Sequence, residues 1–454
     1  MKRFTGLLVC LLIIIFGSQV AFARSQTEGF IDVKIGKTYT KLDRVLLTAD
    51  SGFFVYNKKN IDDIIMEIDS EKIYVSIGFA DSRVIDIFGK DNNYITTLPA
   101  DGSLILEPVS GLINLSGVLY RDYFGFVSGS AGLSVINHVD LENYLYGVVP
   151  REIPASGPIE ALKAQSVAAR SFAYKSMSKH AGDGFNLCDN THCQVYGGYS
   201  CENPATNNAV DETYGLIATY NGQVADTVYH SSSGGYTESS EKVWGGRVPY
   251  LTAVYDPYST TGPNSEWSIS FSSDEIEEKL SDAGFGVGRL YDLTVLERTG
   301  SGRVVTMQVS GSRGDIELSG DKFRSLMGTT VLKSTLFYLN GEAIPEVKAI
   351  FAVDSRTVSV IEPSRSGYSI ISGGGRISSG NGLSIIGKNG IKNGSETKTT
   401  VKSNDGDYVF SGKGYGHGVG MSQYGAIEMA KQGFDFEEIL MHYYRNIELT
   451  EIYR

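Results

Sequence analysis

The chain has 454 residues, a formal charge of −12 and a pI near 5.1, with acidic residues spread along its length. That distribution excludes the basic stripe that a nucleic-acid partner requires. Its 53 glycines and 27 tyrosines against 11 prolines point to many strands and turns rather than a helical bundle, with room for one large domain or a few ordinary ones.

Residues 1–23 read as a signal peptide. Lys2 and Arg3 precede an apolar run from Leu7 to Phe16, and Ala21-Phe22-Ala23 forms a small-x-small cleavage site. The run is short for a membrane span, so the expectation is export to the cell wall or beyond, with an uncleaved anchor as the alternative. No second apolar segment approaches membrane length. Residues 24–130 read as a β-rich accessory region. VLLTA from Val45, FFVYN from Phe53, IYVSIG from Ile73, VIDIFG from Val84 and SLILE from Ser103 are short segments bounded by Gly, Asp, Asn or Ser. None of them carries chemistry.

A second unit, 131–454, opens with a strand over Leu133–Asn137 and a short helical or strand lead-in from Leu141 to Val149. A helix follows, with Pro158 near its first position, Ser156 or Gly157 as cap and Glu160 at its positive end. Ala161, Ala164, Ala168 and Phe172 share one face of it. Strands are expected at 215–220, 224–229, 293–297, 304–309 and 316–319, and helices at 273–280, 322–326, near Ser422 and over 436–444. From about 345 to 401 the Gly- and Asn-rich runs GGGRISSGNG and GKNGIKN read as an insertion rather than core. The whole is an α+β chain: a β-rich catalytic domain with a few short helices, and a small β-rich N-terminal module.

The chemistry concentrates in three places. In GVVPREIPASGPIEALKAQSVAARSFAY, Glu152 stands in a turn bracketed by Pro150, Pro154 and Pro158, which fixes a carboxyl's direction at little entropic cost. In YHSSSGGYTESSEKVWGG, His230, Ser231, Ser233 and Gly234 suit a cleft-lining turn, and Trp244 a groove wall; adjacent His230 and Ser231 do not face each other on a strand, which argues against a serine hydrolase. In GYGHGVGMSQYGAIEMA, Tyr415, His417 and Gln423 suit the same groove, although a tight structural turn packed by Met421 explains the glycines equally well. Gln165 and Arg170 intrude on a small-residue helix, Arg170 as a structural group. Glu160, Glu238 and Glu241 are the candidates for a second carboxylate.

CDNTHC adds Cys188, His192 and Cys193. Cys and His are the usual structural zinc ligands and a closed site needs four, so the fourth is His180, with His230 or Cys201 as alternatives. The competing reading is a Cys188–Cys193 or Cys193–Cys201 disulfide.

These three segments, with DKFRSLMG and LKSTLFYL between Asp321 and Leu339, together resemble the stage II sporulation protein D family, which includes amidase enhancers. The resemblance covers roughly 132–339 and 407–449. It implies a lytic transglycosylase acting on peptidoglycan glycan strands, with Glu152 matching the family's catalytic glutamate, and it allows zinc at the Cys/His cluster. One carboxyl suffices for such cleavage, whereas hydrolysis generally uses two. Two other readings stay open: a non-catalytic, wall-binding enhancer of a cell-wall amidase, and a zinc-dependent hydrolase of stem peptides.

Overall fold

The computed structural model describes residues 29–341, 350–354, 357–361, 399–401 and 407–452. The expected signal peptide and most of the expected insertion lie outside them.

Alternation of apolar and polar residues drives the first half. Phe30–Tyr39 buries Ile31, Val33 and Ile35 on one face, the period-two signature of a half-buried strand. It lies second from the edge of a seven-stranded sheet, between Gly132–Asp140, antiparallel to it, and the edge strand Leu187–Cys188, parallel to it. Strands 123–129, 101–108, 53–57 and 60–68 complete that sheet. A six-stranded sheet holds 118–120, 113–115, 45–48, 72–77, 84–88 and 94–99, and the inward residues of both sheets share one apolar core. The boundary expected at 130 therefore falls inside a hairpin: Tyr123–Gly129 pairs with Gly132–Asp140 residue by residue. The accessory region and the start of the second unit share a sheet.

Helix α1, Leu141–Glu152, is capped by Asp140, whose side chain accepts from Glu142 N–H. After a turn closed by Gly157 N–H on Pro154 O, helix α2 runs Ile159–Lys175. Pro158 itself is its cap, so neither Ser156 nor Gly157 plays the expected part. Arg170 is fully buried on α2 and forks onto Glu142 of α1, Nε to Oε1 at 2.8 Å and Nη2 to Oε2 at 2.6 Å. It also donates to the carbonyls of Val210, in helix α3 (Pro204–Glu212), and Leu216. One guanidinium thus ties four segments, which bears out its structural assignment.

Helix α4 is Ser240–Trp244. A second apolar core lies under strands 267–272, 290–298, 304–311 and 314–319 and helices α5 (Ser273–Asp282) and α6 (Gly320–Met327). The chain returns through strand Asp407–Gly412, then helices α7 (Gln423–Lys431) and α8 (Phe436–Tyr443), which pack back on α2. The expected α+β class is what the structure has.

Candidate functional site

Glu152 is the last residue of α1, with Pro150 inside the final turn and Ile153 closing the helix in an extended conformation. It does not stand in a free proline turn: buried Val149 and Ile153 pin the helix end, and the later prolines carry the chain away. The carboxyl lines an open cleft of about 810 Å³. Its Oε1 accepts Val195 N–H at 3.3 Å, and the side chains of Gln423 and Tyr229 also bond it. Burial pushes its pKa up; those donors and the nearby Arg151 pull it back, without cancelling the rise.

Behind Tyr229 a directional chain of donors converges on the acid. Tyr144 Oη donates to Gln194 Oε1 at 3.2 Å, and Gln194 Nε2 donates to Tyr229 Oη at 3.0 Å. Tyr229 thereby spends its own proton on Glu152. Gln423 Nε2 also reaches Gln165 Oε1 at 3.4 Å, linking α7 to α2. Sequence reasoning named Gln423 for substrate and missed Gln194 and Val195. Their one signal was a buried-type stretch, QVY, directly after the Cys/His run.

The facing wall is built by two motifs stitched together. Tyr229 and His230 pair in parallel with Met421 and Ser422, and Ser232 bridges to Tyr415. Gly416, at φ 114°, permits this: a Cβ there would lie 2.7 Å from that of His230. His230 Nδ1–H donates to Val419 O at 3.0 Å, leaving Nε2 buried without a hydrogen-bond partner among the described residues. His417 Nδ1 accepts from Val419 N–H at 3.0 Å, and its ring lies 5.4 Å from His230 and 5.2 Å from Trp244. Burial, then Arg303 and Arg324, lowers the His417 pKa to about 4, and burial holds His230 well below its usual value, so both are neutral imidazoles near pH 7. Trp244 is 49% exposed at the rim. Ser231, Tyr415, Arg324 and Lys179 also line the cleft, the two cations unforeseen from sequence.

Ser233 and Gly234 are placed otherwise than expected. Ser233 is fully buried, its Oγ donating to Asp256 at 2.7 Å and accepting from Ser259 Oγ at 2.6 Å. Gly234, at φ 74°, lies so close to Lys413 and Gly414 that a Cβ would meet their backbone at 2.8 Å. The residue admits another strand of the protein rather than a sugar. Among the described residues, no second carboxylate lines the cleft. Glu160 pairs with Lys163 at 3.0 Å and accepts Phe436 N–H, while Glu238 accepts from Ser301 at 2.6 Å.

At the cleft edge, His180, Cys188, His192 and Cys193 bring their ligand atoms within 4.8 Å of one another. Cys188 and Cys193 are free, with sulfurs 3.3 Å apart; Cys193 Sγ lies 3.5 Å from His180 Nε2 and 3.6 Å from His192 Nδ1. Tetrahedral zinc with two thiolates and two imidazoles sets sulfur–nitrogen separations of about 3.5 Å and sulfur–sulfur separations slightly longer. The donor set and the sulfur–nitrogen separations fit that ion, while the two sulfurs would have to part by a few tenths of an ångström to hold it. Cys201 stands apart, bonding the Gly147 and Gly198 carbonyls, and His230 is likewise elsewhere.

A profile described as stage II sporulation protein matches residues 129–220, and one described as a domain of unknown function matches 251–353. The chain is 35% identical over 309 residues to the amidase enhancer of Bacillus subtilis (strain 168), a match covering 67% of this chain and 40% of that protein. It is 28% identical over 331 residues to the stage II sporulation protein D of the same organism and to that of Bacillus amyloliquefaciens, covering 70% of this chain and 76% of each. The chain thus spans well under half of the amidase enhancer.

Proposed function

The chain belongs to the stage II sporulation protein D family, and on that premise we propose that it is an exported lytic transglycosylase of peptidoglycan glycan strands. The observation that carries this reading is a lone, half-buried carboxyl of raised pKa in a cleft whose described lining holds no second carboxylate. Protonated Glu152 donates to the glycosidic oxygen as the bond to the muramic acid C1 breaks. The resulting carboxylate then takes the proton of that sugar's own C6 hydroxyl, whose oxygen closes on C1 to give an anhydro sugar. No water enters, so no second carboxylate is required. Val195 N–H, Tyr229 and Gln423 orient the carboxyl and steady its anionic phase, while Trp244 and the neutral His417 offer a face and polar edges to the sugars.

Zinc held by His180, Cys188, His192 and Cys193 is part of the proposal. When bound it supplies a cross-link, all four positions being filled by protein, and no open position for chemistry. The loop so fixed carries Val195 to Glu152.

A second reading has support in the name of the amidase enhancer: a wall-binding protein that stimulates a separate amidase. Mass spectrometry of glycan strands incubated with the mature chain separates the two. Fragments ending in anhydro-muramic acid, lost in Glu152→Gln, are the expected result. Reducing ends carrying added water would sink the lytic mechanism. Wall binding without fragments, with stimulation of an amidase, would favour the second reading. Elemental analysis of the same preparation is expected to give about one zinc per chain.

A further inference from the structure

The loop that carries the Cys/His cluster has a second open cavity on its far side, of about 700 Å³ against about 810 Å³ for the cleft. Its walls are the hairpin end at Val127–Ser134 and the segment from His180 to Phe185. His192 lines both cavities, Cys193 the cleft alone, and His180 and Cys188 the second cavity alone. Since the four ligand atoms lie within 4.8 Å of one another, the partition between the cavities is one ligand cluster thick. His192 is exposed, so that partition ends at the surface rather than closing overhead.

The lining chemistry narrows the ligand. Thr38, Ser128, Ser130 and Ser134 present hydroxyls, and Gly129 and Gly182 put no side chain in the way of a ligand. Lys34 and Asp183 bring one charge of each sign, and Phe185 is buried with its ring stacked on His180 at 4.7 Å. Such a surface is poor for an anion, which needs convergent cations, and poor for an apolar ligand, which needs an apolar wall. It suits a ligand dense in hydroxyl and amide groups whose carboxylates are few and spaced apart, one of which Lys34 can meet.

We propose that this cavity binds the distal sugars of the same glycan strand whose scissile bond lies at Glu152, the strand passing over His192. The inference rests on the glycan-cleaving reading above. It makes the hairpin of the N-terminal sheet part of the substrate groove, and it gives the His192 corner a second duty as the sill between two groups of subsites.

The test is binding to the full-length mature chain carrying Glu152→Gln, so that nothing turns over. Fluorescence anisotropy would compare a tetrasaccharide with an octasaccharide of alternating N-acetylglucosamine and N-acetylmuramic acid. The longer ligand is expected to bind about tenfold more tightly, and Gly182→Trp should collapse that ratio to about one. A Cβ at Gly182 meets nothing within 4 Å and the backbone is not left-handed there, so the indole can fill the cavity without displacing neighbours. Gly129→Trp, equally unobstructed, enters from the opposite wall and guards against a folding defect in the first variant. A length preference left intact by both substitutions overturns the inference while leaving the proposed function standing. Failure to bind glycan of either length overturns both.

Discussion

Glu152 is stabilised against ionisation by its surroundings, and that has a cost the protein carries at neutral pH. Because burial raises its folded pKa above the ordinary carboxylate value, the folded state holds the proton longer than the unfolded state does. Stability therefore falls as pH rises from the ordinary value through the folded one, and stays lower above it. Glu152→Gln should raise the melting temperature at pH 7 by a few degrees, and the gain should vanish below about pH 4. Calorimetry across that range checks it; an equal gain at every pH would point to repacking rather than to the carboxyl's charge. Tyr229 acts on the same equilibrium from the other side, since its hydroxyl favours the carboxylate. In Tyr229→Phe the acid limb is kept, and the descending limb of the pH–rate profile should move up by about one pH unit. An unmoved limb would mean that another group titrates there. At this scale the sequence was only half legible. Glu152, Trp244, His417 and Gln423 announce themselves by motif, whereas Ser233 looks as available as Ser231. Nothing local says that Ser233 will be consumed by Asp256, a partner twenty-three positions away.

The helices that present the acid are held by a single ion pair as much as by apolar packing. Arg170 and Glu142 are both nearly sealed from solvent, and the guanidinium also satisfies carbonyls at 210 and 216. Removing one partner strands the other charge, which typically costs about 3–5 kcal/mol. Glu142→Gln should lower the urea midpoint accordingly with little change in the slope, and a cost under about 1 kcal/mol would show that water reaches the site. Elements of this kind are where sequence reading did well. FFVYN is a strand at 53–57 and the helix expected over 273–280 spans 273–282, because alternation and capping are local signals. It did less well where the partner was distant. The proline-rich stretch around Glu152 reads as a turn, yet α1 persists through Pro150: Leu141, Leu145, Val148 and Val149 bury a continuous face that outweighs the ring's disruption.

Across the whole molecule, what the sequence does not show is the reach of Phe30–Tyr39, a strand inside the expected accessory region. It lies between strands 132–140 and 187–188, so residues flanking the metal-ligand loop hang on a strand from the far end of the chain. Strand order of this kind leaves no local trace, since alternation reveals which face is buried but not which neighbour covers the edge. The arrangement makes a firm forecast for a chain beginning at residue 131. It would lose Ile31, Val33 and Ile35, at 0%, 0% and 4% exposure, from the core. Each is worth about 1.5–3 kcal/mol when fully buried, so the strand alone accounts for roughly 5–9 kcal/mol, against a total stability of about 5–15 kcal/mol for a typical domain. It would also leave the inward edges of two strands unpaired, an invitation to aggregate. The shortened chain should therefore lack a cooperative melt and amide-exchange protection around 187–195, and should not take up the proposed zinc. If it instead melts cooperatively and binds zinc, the first strand is dispensable and the loop beside Glu152 is held from the Cys/His side alone.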